Sequence, residues 1–190
     1  MFDLDRFFAD CQDAVAVDPS HKLVREVVAR TVSEPDAVLA ALGEPERAGI
    51  NVIYRAPNLT VLNLVWGPGM TIMPHDHRMW AVIGIYGGEE ANTFFRRAEQ
   101  GLEESNHRTL RAGEAMLLGA DVVHAIENPL DEPTLGLHVY GGDLLGASRS
   151  MWDPHTGEER PYEVQQFYSW SRDRALMRRA EKSAAAANSP

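Results

Sequence analysis

A succession of short apolar runs, each closed off by turn residues, constrains this chain more than any other feature of its sequence. The candidate strands are Asn51–Arg55, Leu59–Trp66, Trp80–Tyr86, Asn92–Arg97, Glu114–Leu118, His124–Asn128, Thr134–Tyr140 and Ser148–Asp153. Gly67-Pro68-Gly69, Gly87-Gly88, Asn128-Pro129 and Gly141-Gly142 fall between them and supply the backbone conformations that tight turns need. Many short strands at close spacing predict a β-sandwich or barrel. No internal repeat is visible.

The chain before this region has a different texture. From Phe2 to about Gly43 the pattern is helical, with Leu4, Phe7, Phe8, Cys11 and Ala14 on one face of a first helix. That spacing makes Cys11 a core residue rather than a reactive thiol. Pro19-Ser20 opens a second helix, with Leu23, Val24, Val27 and Val28 on one side. Ser33, followed by Pro35, reads as the N-cap and first turn of a third helix that ends at Leu42-Gly43. A short charged helix is expected over 171–182 and a flexible tail over 183–190. The expected organisation is one domain over 1–182: N-terminal helices (1–43), a β-barrel (51–168) and the C-terminal helix.

With 190 residues, 44% of them apolar, the chain can bury a core without covalent staples. A net charge of −10 argues against nucleic acid as a partner, because phosphate binding needs local Lys and Arg. The single cysteine, Cys11, rules out an intrachain disulfide framework and a thiolate-only metal site. The start, Met1-Phe2-Asp3-Leu4-Asp5, lacks the basic and apolar stretches of a signal peptide. No run approaches the ~20 apolar residues of a membrane span. The expectation is a cytoplasmic protein, a monomer or small homo-oligomer, with small-molecule partners.

The residues that carry chemistry begin with His75-Asp76-His77. In extended backbone, residues two apart share a face, so both imidazoles can reach one ion. His124 opens another candidate strand after Gly119-Ala120-Asp121. Three protein ligands leave positions open for other molecules, as in catalytic rather than structural sites. Three histidines suit zinc, copper or nickel as well as iron.

The surrounding pattern resembles both motifs of the cupin superfamily. Gly69 to His77 fits G-x5-H-x-H, and Gly113 to Asn128 resembles G-x5-P-x-G-x2-H-x3-N, with Gly119 and Asp121 in the proline and second glycine positions. The resemblance implies a double-stranded β-helix (jelly-roll) barrel, mainly β, with the N-terminal helices packed outside. The glutamate that commonly follows the cupin H-x-H is absent from Arg78-Met79-Trp80-Ala81-Val82-Ile83. The expected ligand set is therefore three neutral histidines, which favours an anionic substrate.

Within that superfamily the chain resembles the thiol dioxygenases of the cysteine dioxygenase type. Trp66-Gly67-Pro68-Gly69 leading to Pro74-His75-Asp76-His77 is similar to the family's W-G-x-G…H-D-H segment. Arg78 to Gly84 resembles the continuation seen in bacterial members acting on mercaptopropionate-like substrates. Gly136-Leu137-His138-Val139-Tyr140 is similar to S-x-H-x-Y, and Asp153-Pro154-His155-Thr156-Gly157 to D-x-x-T-G. The resemblance implies Fe(II) held by His75, His77 and His124, and transfer of both atoms of O2 to the sulfur of cysteine or a mercaptopropionate-like thiol, giving a sulfinate. It implies Tyr140 as the phenol lining the oxygen side, His138 as the residue that orients it, and Arg55 as the clamp for a substrate carboxylate. Gly136 departs from the family's serine, and no cysteine is placed to crosslink Tyr140.

Two other functions remain open at this point: a cupin metalloenzyme acting on a non-thiol anion, and a non-catalytic cupin that binds a metal or ligand. His138 and Tyr140 also suit a buried polar pair, and Arg55 a surface ion pair. Trp80, Met73 and Met79 read as packing, His21, His107 and His155 as surface residues, and Arg96-Arg97 as a solvated strand end.

Overall fold

The computed structural model describes residues 2–45, 47–99, 101–166 and 169. Three helices come first: α1 (Leu4–Val17), α2 (Lys22–Val32) and α3 (Pro35–Leu42). Eleven strands follow among the described residues: β1 (Gly49–Ala56), β2 (Leu59–Trp66), β3 (Thr71–Asp76), β4 (Ala81–Gly87), β5 (Glu89–Ala98), β6 (Gly101–Arg111), β7 (Ala115–Leu118), β8 (Val123–Glu127), β9 (Thr134–Tyr140), β10 (Ser150–Trp152) and β11 (Glu159–Pro161).

Local chemistry explains the helices. The Asp3 side chain caps α1 by accepting from Arg6 N at 2.8 Å, and Phe7, Cys11 and Ala14 form its buried face. Val24, Val28 and Val32, four residues apart, form the buried stripe of α2. Leu23 lies off that stripe and is 40% exposed, contrary to the sequence expectation. Ser33 does not cap α3 either. It ends α2, its hydroxyl donating to Arg30 O at 2.7 Å, and Glu34 occupies the position before α3.

The strands form two antiparallel sheets, ordered β1-β2-β9-β4-β7 and β11-β10-β3-β8-β5-β6. Successive strands β2 to β5 alternate between the sheets, and so do β6 to β9. The fold is a double-stranded β-helix, the jelly-roll barrel of the cupins.

The inner strands of the first sheet, β2, β4 and β9, are buried on both faces. In β2, Val61 and Val65 pack with the helices, while Leu62, Leu64 and Trp66 point into the barrel. In β9, Leu137 and Val139 face the helices, leaving His138 and Tyr140 on the inner face. The helices approach closely at Gly84, where a Cβ would lie 2.4 Å from Val28 Cγ1 and 2.9 Å from Val32 Cγ1.

Three strands depart from the sequence reading. β3 occupies what reads as a turn-rich stretch, β6 is largely exposed and polar, and β11 is a short exposed edge. The helix and tail expected over 171–190 lie outside the described residues. No helix among the described residues is long and apolar enough to cross a membrane.

Candidate metal centre and its cavity

The site begins with an irregularity in β3. Between Ile72 and His75 the strand carries one residue more than its partner β8, so that Ile72 pairs with Ile126 but His75 pairs with His124. Such a bulge re-aims side chains, and it is one of the few places where a strand tolerates a residue such as Pro74. The Met73 carbonyl, inside the bulge, accepts from His75 Nδ1 at 3.0 Å. His77 follows just past the end of β3, and its side chain returns to the same interior.

Asp76 points the other way and pins this corner. Its fully buried carboxylate accepts from Ser150 N at 2.7 Å and from Arg97 Nη2 at 2.6 Å, and it pairs with Arg78 Nε at 2.6 Å. Arg97 also stacks over Trp152, with its guanidinium carbon 5.2 Å from the ring centre. Arg97 is thus a structural anchor rather than the solvated strand end that the sequence suggests.

His75, His77 and His124 converge. His77 Nε2 lies 3.3 Å from His75 Nε2 and 3.4 Å from His124 Nε2, and one ligand atom from each residue falls within a 4.8 Å span. The outer nitrogens fix the chemistry. A carbonyl can only accept, so His75 Nδ1 carries a proton and its Nε2 a lone pair. His124 Nδ1 donates to Asn92 Oδ1 at 2.7 Å, because the Asn92 amide nitrogen is turned toward Glu90 Oε1 at 3.1 Å. His77 Nδ1 meets no hydrogen-bond partner among the described residues. Burial lowers the pKa of His75 to about 4, and burial with mutual repulsion holds His77 and His124 well below the ordinary histidine value. Lone pairs on neutral, buried imidazoles facing one another at this distance fit a shared cation. Three nitrogen donors with further positions open suit a borderline divalent metal.

A cavity of about 180 Å³ opens onto His75 and His77. Leu62, Leu64, Ile72, Ile126 and Leu144 supply much of its wall, and Ile50, Val52, Leu145 and Val164 also line it. Its polar lining includes His138, Tyr140, Tyr162 and a cation, Arg149, with no carboxylate among the described residues. The Arg149 guanidinium lies over the Tyr162 ring at 3.7 Å, and its Nε donates to Leu144 O at 3.2 Å. Its charge reaches the site, helping to depress the pKa values of His75 and His77. Tyr140 packs edge-on against His77, ring centres 5.0 Å apart, and its hydroxyl lies 3.3 Å from His138 Nδ1. Burial raises the Tyr140 phenol above its ordinary pKa, which keeps it protonated.

Arg55 is not brought to this cavity. Its guanidinium forms a two-pronged pair with Asp143 (both bonds 2.8 Å) and is half exposed, so its charge is already matched. The cation among the described lining residues is Arg149. Cys11 is fully buried, and burial pushes its thiol up to about 12.

Sequence reasoning also misses Glu90 and Asn92. Both are buried on the inner face of β5, and a strand read from Asn92 onward leaves Glu90 in a turn. Their two-residue spacing within a strand is the signal that could have found them. Glu90 Oε2 accepts from Trp66 Nε1 at 2.7 Å and stands 3.4 Å from His138 Nε2. Burial pushes the Glu90 carboxyl up, but the nearby His138 ring and the hydrogen bonds from Trp66 and Asn92 outweigh it and hold the pKa below its ordinary value.

No protein-family model matches the chain. Among solved structures it is similar to an uncharacterized conserved protein with a double-stranded β-helix domain from Klebsiella pneumoniae, with 19% identity and a TM-score of 0.47 over 60% of this chain and 87% of that one. It is also similar to an RmlC-like cupin family protein from Methanocaldococcus jannaschii, with 14% identity and a TM-score of 0.46 over 55% and 91% of the two chains. Oxalate oxidase in complex with the substrate analogue glycolate is a further likeness, at 16% identity and a TM-score of 0.43 over 53% and 54%. The strand order of the barrel carries the fold assignment, and these likenesses stand beside it.

Proposed function

We propose that this protein is an Fe(II)-dependent thiol dioxygenase acting on a short mercapto-carboxylate such as 3-mercaptopropionate. The observation that carries the reading is an apolar cavity beside the converging imidazoles of His75, His77 and His124, whose described lining residues include the Tyr140 phenol and the Arg149 cation and no acidic residue. Cysteine would bring an ammonium group for which the described lining residues offer no carboxylate. A mercapto-carboxylate brings only the anion that Arg149 can meet. Fe(II) held by His75, His77 and His124 would bind a thiolate and dioxygen and would favour loss of the thiol proton.

The chain's own groups do the rest. With Arg149 Nε held by Leu144 O, the terminal nitrogens are left to grip the substrate carboxylate in the two-pronged manner that guanidinium favours. Tyr162 beneath the guanidinium holds its plane. Tyr140, braced by His138, presents a fixed phenol oxygen beside His77. The aliphatic walls exclude water and so strengthen these polar contacts. The overall change adds both oxygen atoms to sulfur, so that RSH and O2 become a sulfinate and a proton.

Isotope labelling tests this directly. The Fe(II)-loaded protein given 3-mercaptopropionate under 18O2 is expected to yield a sulfinate carrying two heavy oxygens. A product with one heavy oxygen, or a disulfide alone, contradicts the reading.

A further inference from the structure

The barrel interior holds one carboxylate that the reaction above does not use. Glu90 is fully buried on β5, where an unpartnered charge is strongly disfavoured. Its partners extend in two directions. Through Oε1 it holds the Asn92 amide at 3.1 Å, and Asn92 Oδ1 holds the metal-site residue His124 at 2.7 Å. Through Oε2 it faces His138 Nε2 at 3.4 Å, and His138 Nδ1 meets the Tyr140 hydroxyl at 3.3 Å. Gly136 leaves room beside the Nε2 edge of the His138 ring, since a Cβ there would lie 3.1 Å from His138 Nε2.

A carboxylate only accepts hydrogen bonds, and that property propagates along both arms. On one arm, Asn92 must turn its NH2 toward Glu90, so its oxygen faces His124 Nδ1 and the His124 proton sits there. The lone pair is then at Nε2, where the metal is held. On the other arm, the carboxylate stands 3.4 Å from His138 Nε2, a buried nitrogen with no hydrogen-bond partner among the described residues, and favours the proton there, so Nδ1 is left to address Tyr140. One side chain thereby sets the proton positions of two histidines with different tasks.

We propose that Glu90 is the positioning residue of this site, orienting the His124 ligand through Asn92 and the Tyr140 phenol through His138. The inference rests on the reading that His75, His77 and His124 hold a metal, and it does not depend on which substrate is oxidised.

The test uses anaerobic Co(II) titration of the full chain, read by visible absorption, so it needs no turnover. Glu90→Gln cannot accept on both arms at once, and it is expected to weaken Co(II) binding by roughly 10- to 100-fold and to alter the ligand-field spectrum. The paired variant Glu90→Gln/Asn92→Asp restores every bond. Its new amide at position 90 would accept from Trp66 and His138 through oxygen and donate through nitrogen to the new carboxylate at position 92. That carboxylate would in turn accept from His124. The paired variant is expected to recover wild-type Co(II) affinity to within about threefold, as expected if this outer-shell pairing is what was lost. A folded Glu90→Gln protein with unchanged affinity and spectrum overturns the proposal. So does a paired variant no better than the single one, or one that does not fold. Absence of Co(II) binding by the wild-type chain would instead contradict the metal site itself.

Discussion

His75 and His124 stand directly opposite each other on adjacent antiparallel strands, brought into register by the bulge between Ile72 and His75. Because facing residues on paired strands share a side of the sheet, this pairing alone delivers two imidazoles to one point. His77 needs only the two-residue step past Asp76 to join them. The centre is therefore built from backbone register, which loops would hold less firmly.

A site of this kind should couple metal to stability. Metal at about 100 times its Kd is expected to stabilise the fold by ~2.7 kcal/mol. For a chain of this size that corresponds to a rise in Tm of roughly 5–10 °C. The His124→Ala variant should show no such rise with Co(II) or anaerobic Fe(II) in a thermal melt. An equal rise in the variant would place the bound metal elsewhere.

Arg149 and Arg55 make opposite predictions. Arg149→Ala is expected to raise KM for 3-mercaptopropionate by roughly 10- to 100-fold, the scale of a charge-assisted hydrogen bond. For an uncharged thiol such as 2-mercaptoethanol the change should be small. Arg55→Ala, which breaks only the exposed pair with Asp143, should leave KM for both thiols within about twofold. Steady-state kinetics on the two thiols distinguishes the roles.

Asp76→Asn tests the corner pin. The carboxylate is fully buried, but Arg78 and Arg97 retain 47% and 37% side-chain exposure and can turn to water when it is neutralised. The expected loss is therefore about 1–3 kcal/mol, as for hydrogen bonds to a charged group, rather than that of a fully stranded pair. Urea unfolding measures it. Weaker metal binding should accompany the loss, because the flanking histidines share the loosened segment.

Cys11 should be inert in the folded chain. With the thiol pKa pushed up to about 12 by burial, iodoacetamide at pH 8 is expected to label it only after unfolding. The folded state keeps a proton that the unfolded state releases above about pH 9. This group's contribution to stability is thus complete below about pH 9 and declines as pH rises toward about 12, by up to ~1.4 kcal/mol per pH unit. Rapid native labelling would show that α1 does not stay docked.

The legible parts of the structure follow a physical pattern. β2 and β9 match the sequence reading residue for residue because both faces are covered, so most of their positions are apolar. β3 is hidden by Pro74 and its bulge, and β6 by an outward face that reads GLEESNHRTLR, with no apolar alternation to follow. The three histidines are visible because spacing along a strand determines their facing. Arg149 is not, since it lies between β9 and β10, and only the three-dimensional course of that connection brings it over Tyr162. Arg55 misleads for the converse reason: sequence position cannot show that Asp143, 88 residues away, claims its charge.

The most direct test of the central claim is oxygen uptake by the anaerobically Fe(II)-loaded chain when oxygenated 3-mercaptopropionate is added, with His124→Ala beside it. One O2 consumed per sulfinate formed, with uptake abolished in the variant and much slower with cysteine, is the expected result. No uptake with any small thiol, from protein shown to hold iron at the three histidines, would contradict the assignment of thiol oxidation to this cavity.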